Sequence, residues 1–245
     1  MATKFTEKHE IQFYECDVTG KLTLPMLLNI VIKTSESQSE ALGRGSDFVN
    51  SLGLGWVITQ HEMTITRLPK TEELVSVTTE ATSYNKYFCY RNFWIHDESG
   101  QECVAISSTF VLMDLTTRKM TSVPLDIIEA YDCEKITKIL RGTKISSLED
   151  DSDAREYRVR FSDIDGNKHV NNSRYLDWMV DSLAYKFLTS HEPTFVNIRF
   201  DKELAYGNSV TSHWQEASGE QLISKHRIKL DGTLCAEANI SWRSM

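Results

Sequence analysis

The residues whose types and spacing can do chemistry stand together between Phe161 and Trp178, in Phe-Ser-Asp-Ile-Asp-Gly-Asn-Lys-His-Val-Asn-Asn-Ser-Arg-Tyr-Leu-Asp-Trp. Asp165, Asn167 and His169 follow one another at two-residue spacing. In an extended segment such residues project to one side, so a carboxylate, an amide and an imidazole are expected to face one pocket. A segment with helical apolar spacing begins directly after them, and the first N–H groups of a helix lack internal partners. The backbone N–H groups of Val170 and Asn171 are therefore the expected oxyanion donors, favoured by the helix dipole. Such a set can hydrolyse an ester-like bond: one group prepares water, others orient it, and backbone donors hold the developing charge.

Each residue also has a purely structural explanation. Aspartate before a turn commonly hydrogen-bonds its own backbone. Asn167 fits a left-handed turn position beside Gly166, and a lone histidine is more often structural than catalytic. The combination, at this spacing and ahead of this helix, is what favours chemistry.

The elements that position these residues occur twice. Displaced by 148 residues, Ile11 falls on Val159, Phe13 on Phe161, Glu15 on Asp163, Asp17 on Asp165 and Leu28 on Leu176. The matched apolar register reads as an internal duplication. At the positions of Asp165, Asn167 and His169 the first copy has Asp17, Thr19 and Lys21. It keeps the aspartate and loses the amide and imidazole, so one active centre is expected, in the carboxy-terminal half. Each copy leads from a short strand through a turn into a helix, over 24–42 and 171–189, with Asn171 and Asn172 as candidate caps of the second. Strands are expected over 56–67, 74–83, 87–96 and 104–114, and again over 195–200, 209–217, 222–230 and 234–243. Asp231-Gly232 marks a hairpin between the last two. One long helix followed by antiparallel strands is an α+β pattern.

Bulk composition narrows the function class. With 40% hydrophobic and 25% charged residues the chain reads as a soluble globular protein. No apolar run approaches the roughly 18–20 residues that span a bilayer, so no membrane insertion is expected. The start carries neither a secretory signal nor a transit peptide, and a cytoplasmic location is the expectation. A net charge of −8 disfavours nucleic acid. Five cysteines without a Cys-x-x-Cys pair argue against disulfides and against a zinc site. Leu52-Gly53-Leu54-Gly55 lacks the strand and third glycine of a nucleotide loop, and no cofactor is expected. Gly43 fits the end of the first helix.

The segment Asp-Ile-Asp-Gly-Asn-Lys-His-Val-Asn-Asn-Ser-Arg-Tyr resembles the signature of the fatty acyl–acyl carrier protein thioesterases, the plant plastid enzymes and their bacterial relatives. The likeness extends over most of the chain, with a first block from about His9 through Trp56 to Met120 and a second filling the rest. It implies a tandem double hotdog, each half a long helix wrapped by an antiparallel sheet. Residues 1–120 would be the amino-terminal domain, 121–154 a linker with the acidic run 149–153, and 155–245 the catalytic domain. The first half would supply fold partnership and the acyl pocket, for which its aromatic residues Trp56, Tyr84, Tyr87, Phe88, Tyr90, Phe93 and Trp94 are candidates beside ordinary core packing.

The resemblance adds Glu203 to Asp165, Asn167 and His169 as a catalytic acidic residue near the histidine. The sequence departs from the plant pattern at Leu204, where those enzymes have a cysteine once read as a nucleophile. A thiol mechanism is therefore not expected, and water activated by carboxylate, amide and histidine is. The implied partner is an acyl carrier protein bearing a fatty acyl chain. Because such carriers are strongly acidic, a local basic patch must override the net charge. Alternatives are an acyl-coenzyme A thioesterase, a non-catalytic acyl-binding hotdog module and a hotdog dehydratase. Pairing into a homodimer stays open.

Overall fold

The computed structural model describes residues 3–148, 153–216 and 222–245. Most of the acidic run 149–153, and Ala217, lie outside them. The first copy comprises β1 (Phe5–Glu10), α1 (Leu24–Ala41), the short α2 (Ser46–Ser51), β2 (Leu54–Ile65), β3 (Leu74–Tyr84), β4 (Phe88–His96) and β5 (Glu102–Asp114). Between the copies lie β6 (Met120–Thr121), α3 (Leu125–Ile128) and β7 (Glu134–Lys135). The second copy comprises β8 (Ala154–Arg158), α4 (Asn172–Asp181), α5 (Tyr185–Leu188), β9 (His191–Phe200), β10 (Ser209–Gln215), β11 (Leu222–Leu230) and β12 (Thr233–Ser244).

Helix α1 starts where Thr23 accepts a hydrogen bond from the Met26 N–H and Pro25 sits in the first turn. Leu24, Leu27, Leu28 and Val31 line its buried face at helical spacing. It ends before Gly43, which takes a positive φ of 66°. The second helix is shorter than its periodicity predicts. Ser182 Oγ donates to the Met179 carbonyl at 2.5 Å, and the Leu183 N–H turns to Val180. The hydroxyl thus takes the acceptor that the Leu183 N–H would need to continue the helix, and the chain resumes only as the single turn of α5.

The strands form one sheet in the order β1-β3-β4-β5-β2-β9-β12-β11-β10-β8. Every pair on this path is antiparallel; the two-residue pairing of β7 with β3 is parallel. The order is palindromic, because the second copy repeats the first and the two join edge to edge from Gln60↔Arg199 to Thr64↔Phe195. Helices α1 and α4 pack against each other over one face, and a single core holds residues of both copies, among them Leu27, Leu28, Met63, Leu176, Met179 and Ile198. On the other face residues 137–148 cross as a strap. The Thr143 N–H donates to Glu62, and its carbonyl accepts from Asn197 at 2.8 Å.

The duplication is visible bond by bond. The Thr66 and Arg67 N–H groups share the Cys103 carbonyl, as those of Asp201 and Lys202 share that of Cys235. Gln12 N–H donates to the buried Glu15 carboxylate and Arg160 N–H to that of Asp163, both at 2.8 Å. The same scaffold therefore holds both copies of the motif.

Candidate active site

The motif is a tight hairpin, not the extended segment its spacing predicts. Ile164 bridges Val170, the Asp165 N–H donates to the His169 carbonyl at 2.9 Å, and the Lys168 N–H donates to the Asp165 carbonyl at 3.0 Å. Lys168, rather than Asn167, takes the left-handed position, with φ 66°. Asp165 Oδ1 accepts the Asn167 N–H at 2.8 Å, so the aspartate does organise its own turn. Asn167 is exposed at the tip, while Asp165 and His169 are half-buried. The side-chain amide of Asn167 has no hydrogen-bond partner among the described residues.

Glu203 lies in the loop after β9, and the fold brings it to the hairpin: His169 Nε2 stands 3.3 Å from Glu203 Oε2. The guanidinium of Arg118 contacts the same carboxylate oxygen. Arg118 belongs to the first copy, in the turn after β5, where Asp114 Oδ1 accepts from the Thr116 and Thr117 N–H groups and Arg118 takes φ 55°. The sequence gives little sign of it. Its one local signal is the Asp-Leu-Thr-Thr turn chemistry before it, and its partner lies 85 residues away. Tyr175 of α4 donates its hydroxyl to the Lys202 carbonyl at 3.3 Å, tying the Glu203 loop to the helix.

Two expected oxyanion donors are already engaged. The Val170 N–H donates to the Leu204 carbonyl and the Asn171 N–H to the Asp163 carbonyl, both at 2.9 Å. In the first copy Leu22 and Thr23 make the same bonds, to Pro69 and Glu15. These are bonds of the duplicated scaffold, and the assignment of Val170 and Asn171 is corrected accordingly. Asn171 instead caps α4 through Oδ1, which accepts from Ser173 at 2.9 Å. The N–H of Asn172, next along, has no partner among the described residues.

Burial raises the Asp165 carboxyl above its usual range, against the opposing pull of the Asn167 and His169 N–H groups and the His169 ring. Glu36 of α1 is also raised, by burial and then by the Asp165 carboxylate, which places this helix of the first copy beside the site. Burial lowers His169, and the Arg118 charge lowers it further. The imidazole is therefore neutral at neutral pH.

No thiol is poised for attack. Leu204 is fully buried in the core, and Cys235 donates to the Thr233 carbonyl with its pKa raised by burial, against the opposing pull of the Leu230 backbone and the Lys202 charge. Cys89 is pushed up to about 12. Glu73, Asp97 and Cys103 cluster at ligand spacing, but Arg67 reaches both carboxylates, at 2.5 and 2.9 Å, and neutralises them. Of the aromatic residues, Phe93 is core and Tyr90 is buried, while Trp56 and Tyr84 pack with Phe110 around Cys89, Ile128 and Tyr131 beyond the end of α1. A cavity of about 700 Å³ lies under the strap, lined by Gln60, Arg141 and Arg199 among others; Asp165, His169 and Glu203 do not line it.

In the first copy, Lys21 stands for His169 and Leu68 for Glu203. Lys21 Nζ pairs with Glu192 at 2.6 Å, and Arg243 holds the other oxygen of that carboxylate. Leu68 is buried. That position is a closed structural ion pair.

The family model of the acyl-ACP thioesterase N-terminal domain matches residues 2–131, and that of the C-terminal domain matches residues 146–244. A crystal structure provisionally assigned as an oleoyl thioesterase from Lactobacillus plantarum is 40% identical, with a TM-score of 0.97 over 100% of this chain and 97% of that one. A 12:0-ACP thioesterase from Umbellularia californica shares the fold at 20% identity, with a TM-score of 0.87 over 99% and 98% of the two chains. A chloroplastic acyl-[acyl-carrier-protein] hydrolase of Cuphea viscosissima is 25% identical over 98% of this chain, which spans 62% of that relative's length.

Proposed function

The chain belongs to the acyl-ACP thioesterase family, and from that premise we propose that it hydrolyses the thioester of a fatty acyl–acyl carrier protein. The products are the free fatty acid and the carrier's thiol. The observation that carries this reading is the meeting of His169 and Glu203 of the second copy with Arg118 of the first, where the first copy's own motif has Lys21 and Leu68.

In the mechanism we propose, Glu203 is the general base. Arg118 pairs with it and orients it, and its oxygen is free of the turn bonds that occupy Asp165. It takes a proton from water as the water oxygen attacks the thioester carbon. Neutral His169 orients that water, and the proton Glu203 has taken is relayed through the imidazole, 3.3 Å away, to the departing thiolate as the carbon–sulfur bond breaks, which leaves Glu203 ionised and His169 neutral again. The unengaged Asn167 amide and the Asn172 N–H at the start of α4 supply the oxyanion contacts. Asp165 shapes the hairpin and sets the electrostatics around His169. The acyl chain runs past Glu36 along α1 toward the apolar cluster of Trp56, Phe110 and Tyr131. We further propose residues 1–120 and 155–245 as the two domains with 121–154 between them. A cytoplasmic location belongs to the same reading and is supported by five unpaired cysteines.

The test is to incubate the purified protein with acyl carrier proteins carrying a ladder of chain lengths, and with the same acyl groups on coenzyme A, and to measure released acid. Preferential release from the carrier protein is expected. Turnover confined to coenzyme A thioesters, or tight acyl binding without turnover, overturns the proposal.

A further inference from the structure

The three side chains that meet at the site each have a lysine next to them in the chain: Lys168 beside His169, Lys202 beside Glu203, and Lys119 beside Arg118. All three lysines are exposed, and among the described residues none has an ion-pair partner. The neighbouring acids are already engaged, Glu203 by Arg118 and Asp201 by Arg199 at 3.2 Å. A chain of net charge −8 thus carries three exposed lysines without ion-pair partners among the described residues, each next in the chain to a residue of the site.

The first copy makes the arrangement informative. At the position of Lys168 it has Gly20, at φ 73°, in the same turn. A side chain in this left-handed conformation costs on the order of 1 kcal/mol or more relative to glycine. At the position of Lys202 it has Arg67, which is neutralised by Glu73 and Asp97. The copy without the catalytic residues therefore lacks one of these cations and neutralises the other, while the copy that carries them leaves both free.

We infer that Lys119, Lys168 and Lys202 form the docking rim for an acidic carrier protein, steering it so that its thioester reaches Glu203. The inference rests on the acyl-carrier reading above. It locates the basic patch that an acidic partner requires on an acidic enzyme. Rim charges of this kind act on encounter and on salt dependence more than on the chemical step.

The test uses the full chain with Lys119, Lys168 and Lys202 all changed to Glu, Lys8→Glu on the distant edge strand β1 as a charge-change control, and Lys168→Gly. The triple variant is expected to raise KM for acyl-carrier protein on the order of tenfold or more with kcat held. Added salt should raise the wild-type KM steeply and the variant's little. Lys168→Gly keeps the turn in the form seen at Gly20, so it folds at least as well, and it should raise KM by a smaller factor in the same direction. Unchanged KM and salt dependence in the triple variant, with acyl-carrier protein still turned over, overturn the docking rim and leave the proposed function intact. An equal loss on the neutral acyl-N-acetylcysteamine thioester also overturns it, because the lysines would then act on chemistry or folding. A wild-type protein that ignores acyl-carrier protein but cleaves the small thioester defeats the carrier reading itself.

Discussion

The two copies of the hairpin predict a double dissociation between stability and turnover. Lys21 and Glu192 are only 18% and 15% exposed and pair at 2.6 Å, which is deeper than an ordinary surface ion pair. An exposed pair contributes about 0–1 kcal/mol, and breaking a fully buried one costs roughly 3–5 kcal/mol. Arg243 stays on Glu192 when Lys21 is removed, so Lys21→Met should cost about 1–2 kcal/mol. For a chain of this size that lowers Tm by roughly 2–8 °C, with kcat within about twofold. His169→Ala should do the reverse. The bonds that His169 gives the hairpin run through its backbone and survive the change, so Tm should move by no more than about 2 °C. Loss of an acid–base group should cut turnover on the order of a hundredfold or more, about 3 kcal/mol of barrier. Asn167→Ala should follow His169→Ala, and Thr19→Ala should leave turnover nearly untouched. Thermal scans paired with release of free acid from one acyl-carrier protein measure both quantities. A Lys21→Met protein that stays folded yet loses turnover like His169→Ala would mean that both copies take part in the chemistry, and the single-site reasoning would fail.

Arg118→Met should lower kcat/KM at pH 7 on the order of tenfold to a hundredfold, because Glu203 loses the cation that orients it. Removing this charge also eases protonation of His169, which Arg118 opposes. The acid limb of the pH–rate profile should therefore move to higher pH, and an unmoved limb would argue against a working contact. Acid should also weaken the fold itself through His61 and His226, which are fully buried and pushed down to about 3. Below about pH 6.5 the unfolded chain takes up protons that the folded chain refuses until about pH 3, so stability falls as pH falls, by roughly 1.4 kcal/mol per unit for each histidine. At pH 5 the pair should cost about 4 kcal/mol, on the order of 10 °C in Tm. A protein with both histidines changed to Gln should lose that part of the slope between pH 6.5 and 5; an identical slope would refute the assignment.

Much of the fold was legible because period-2 and helical patterns are local. Strand β11 occupies Leu222–Leu230 as its pattern predicts, and Asp231-Gly232 turns with both φ values positive, 49° and 76°. The end of α4 was not legible. Leu183, Phe187 and Leu188 continue the apolar period, while the interruption depends on which acceptor the Ser182 hydroxyl takes. The extended reading of 165–169 failed for a related reason, since two-residue spacing cannot distinguish a strand from a turn that folds back on itself. The first copy held the clue, because a glycine at position 20 marks the left-handed site that Lys168 fills. Arg118 was illegible because nothing local ties the turn after β5 to the loop after β9, 85 residues on and two strands away in the sheet.

The degenerate copy works as an internal control for function. What both copies share (the buried Glu15 and Asp163, the aspartate that closes the turn, the N–H bonds of Leu22 and Val170) is what the hairpin needs in order to fold. What only the second copy has is Asn167, His169 and Glu203, none of which the scaffold uses, since the same scaffold forms without them. This subtraction separates chemistry from architecture more sharply than the motif alone. It is also why Val170 and Asn171 drop out as oxyanion donors while Asn167 remains. Arg118 and Glu36 bring the first copy to the candidate site. With Lys21 and Leu68 where the second copy has His169 and Glu203, it contributes a cation to Glu203 and a helix beside Asp165. The proposed site therefore draws on both copies, which the β2–β9 seam joins in one sheet within a single chain.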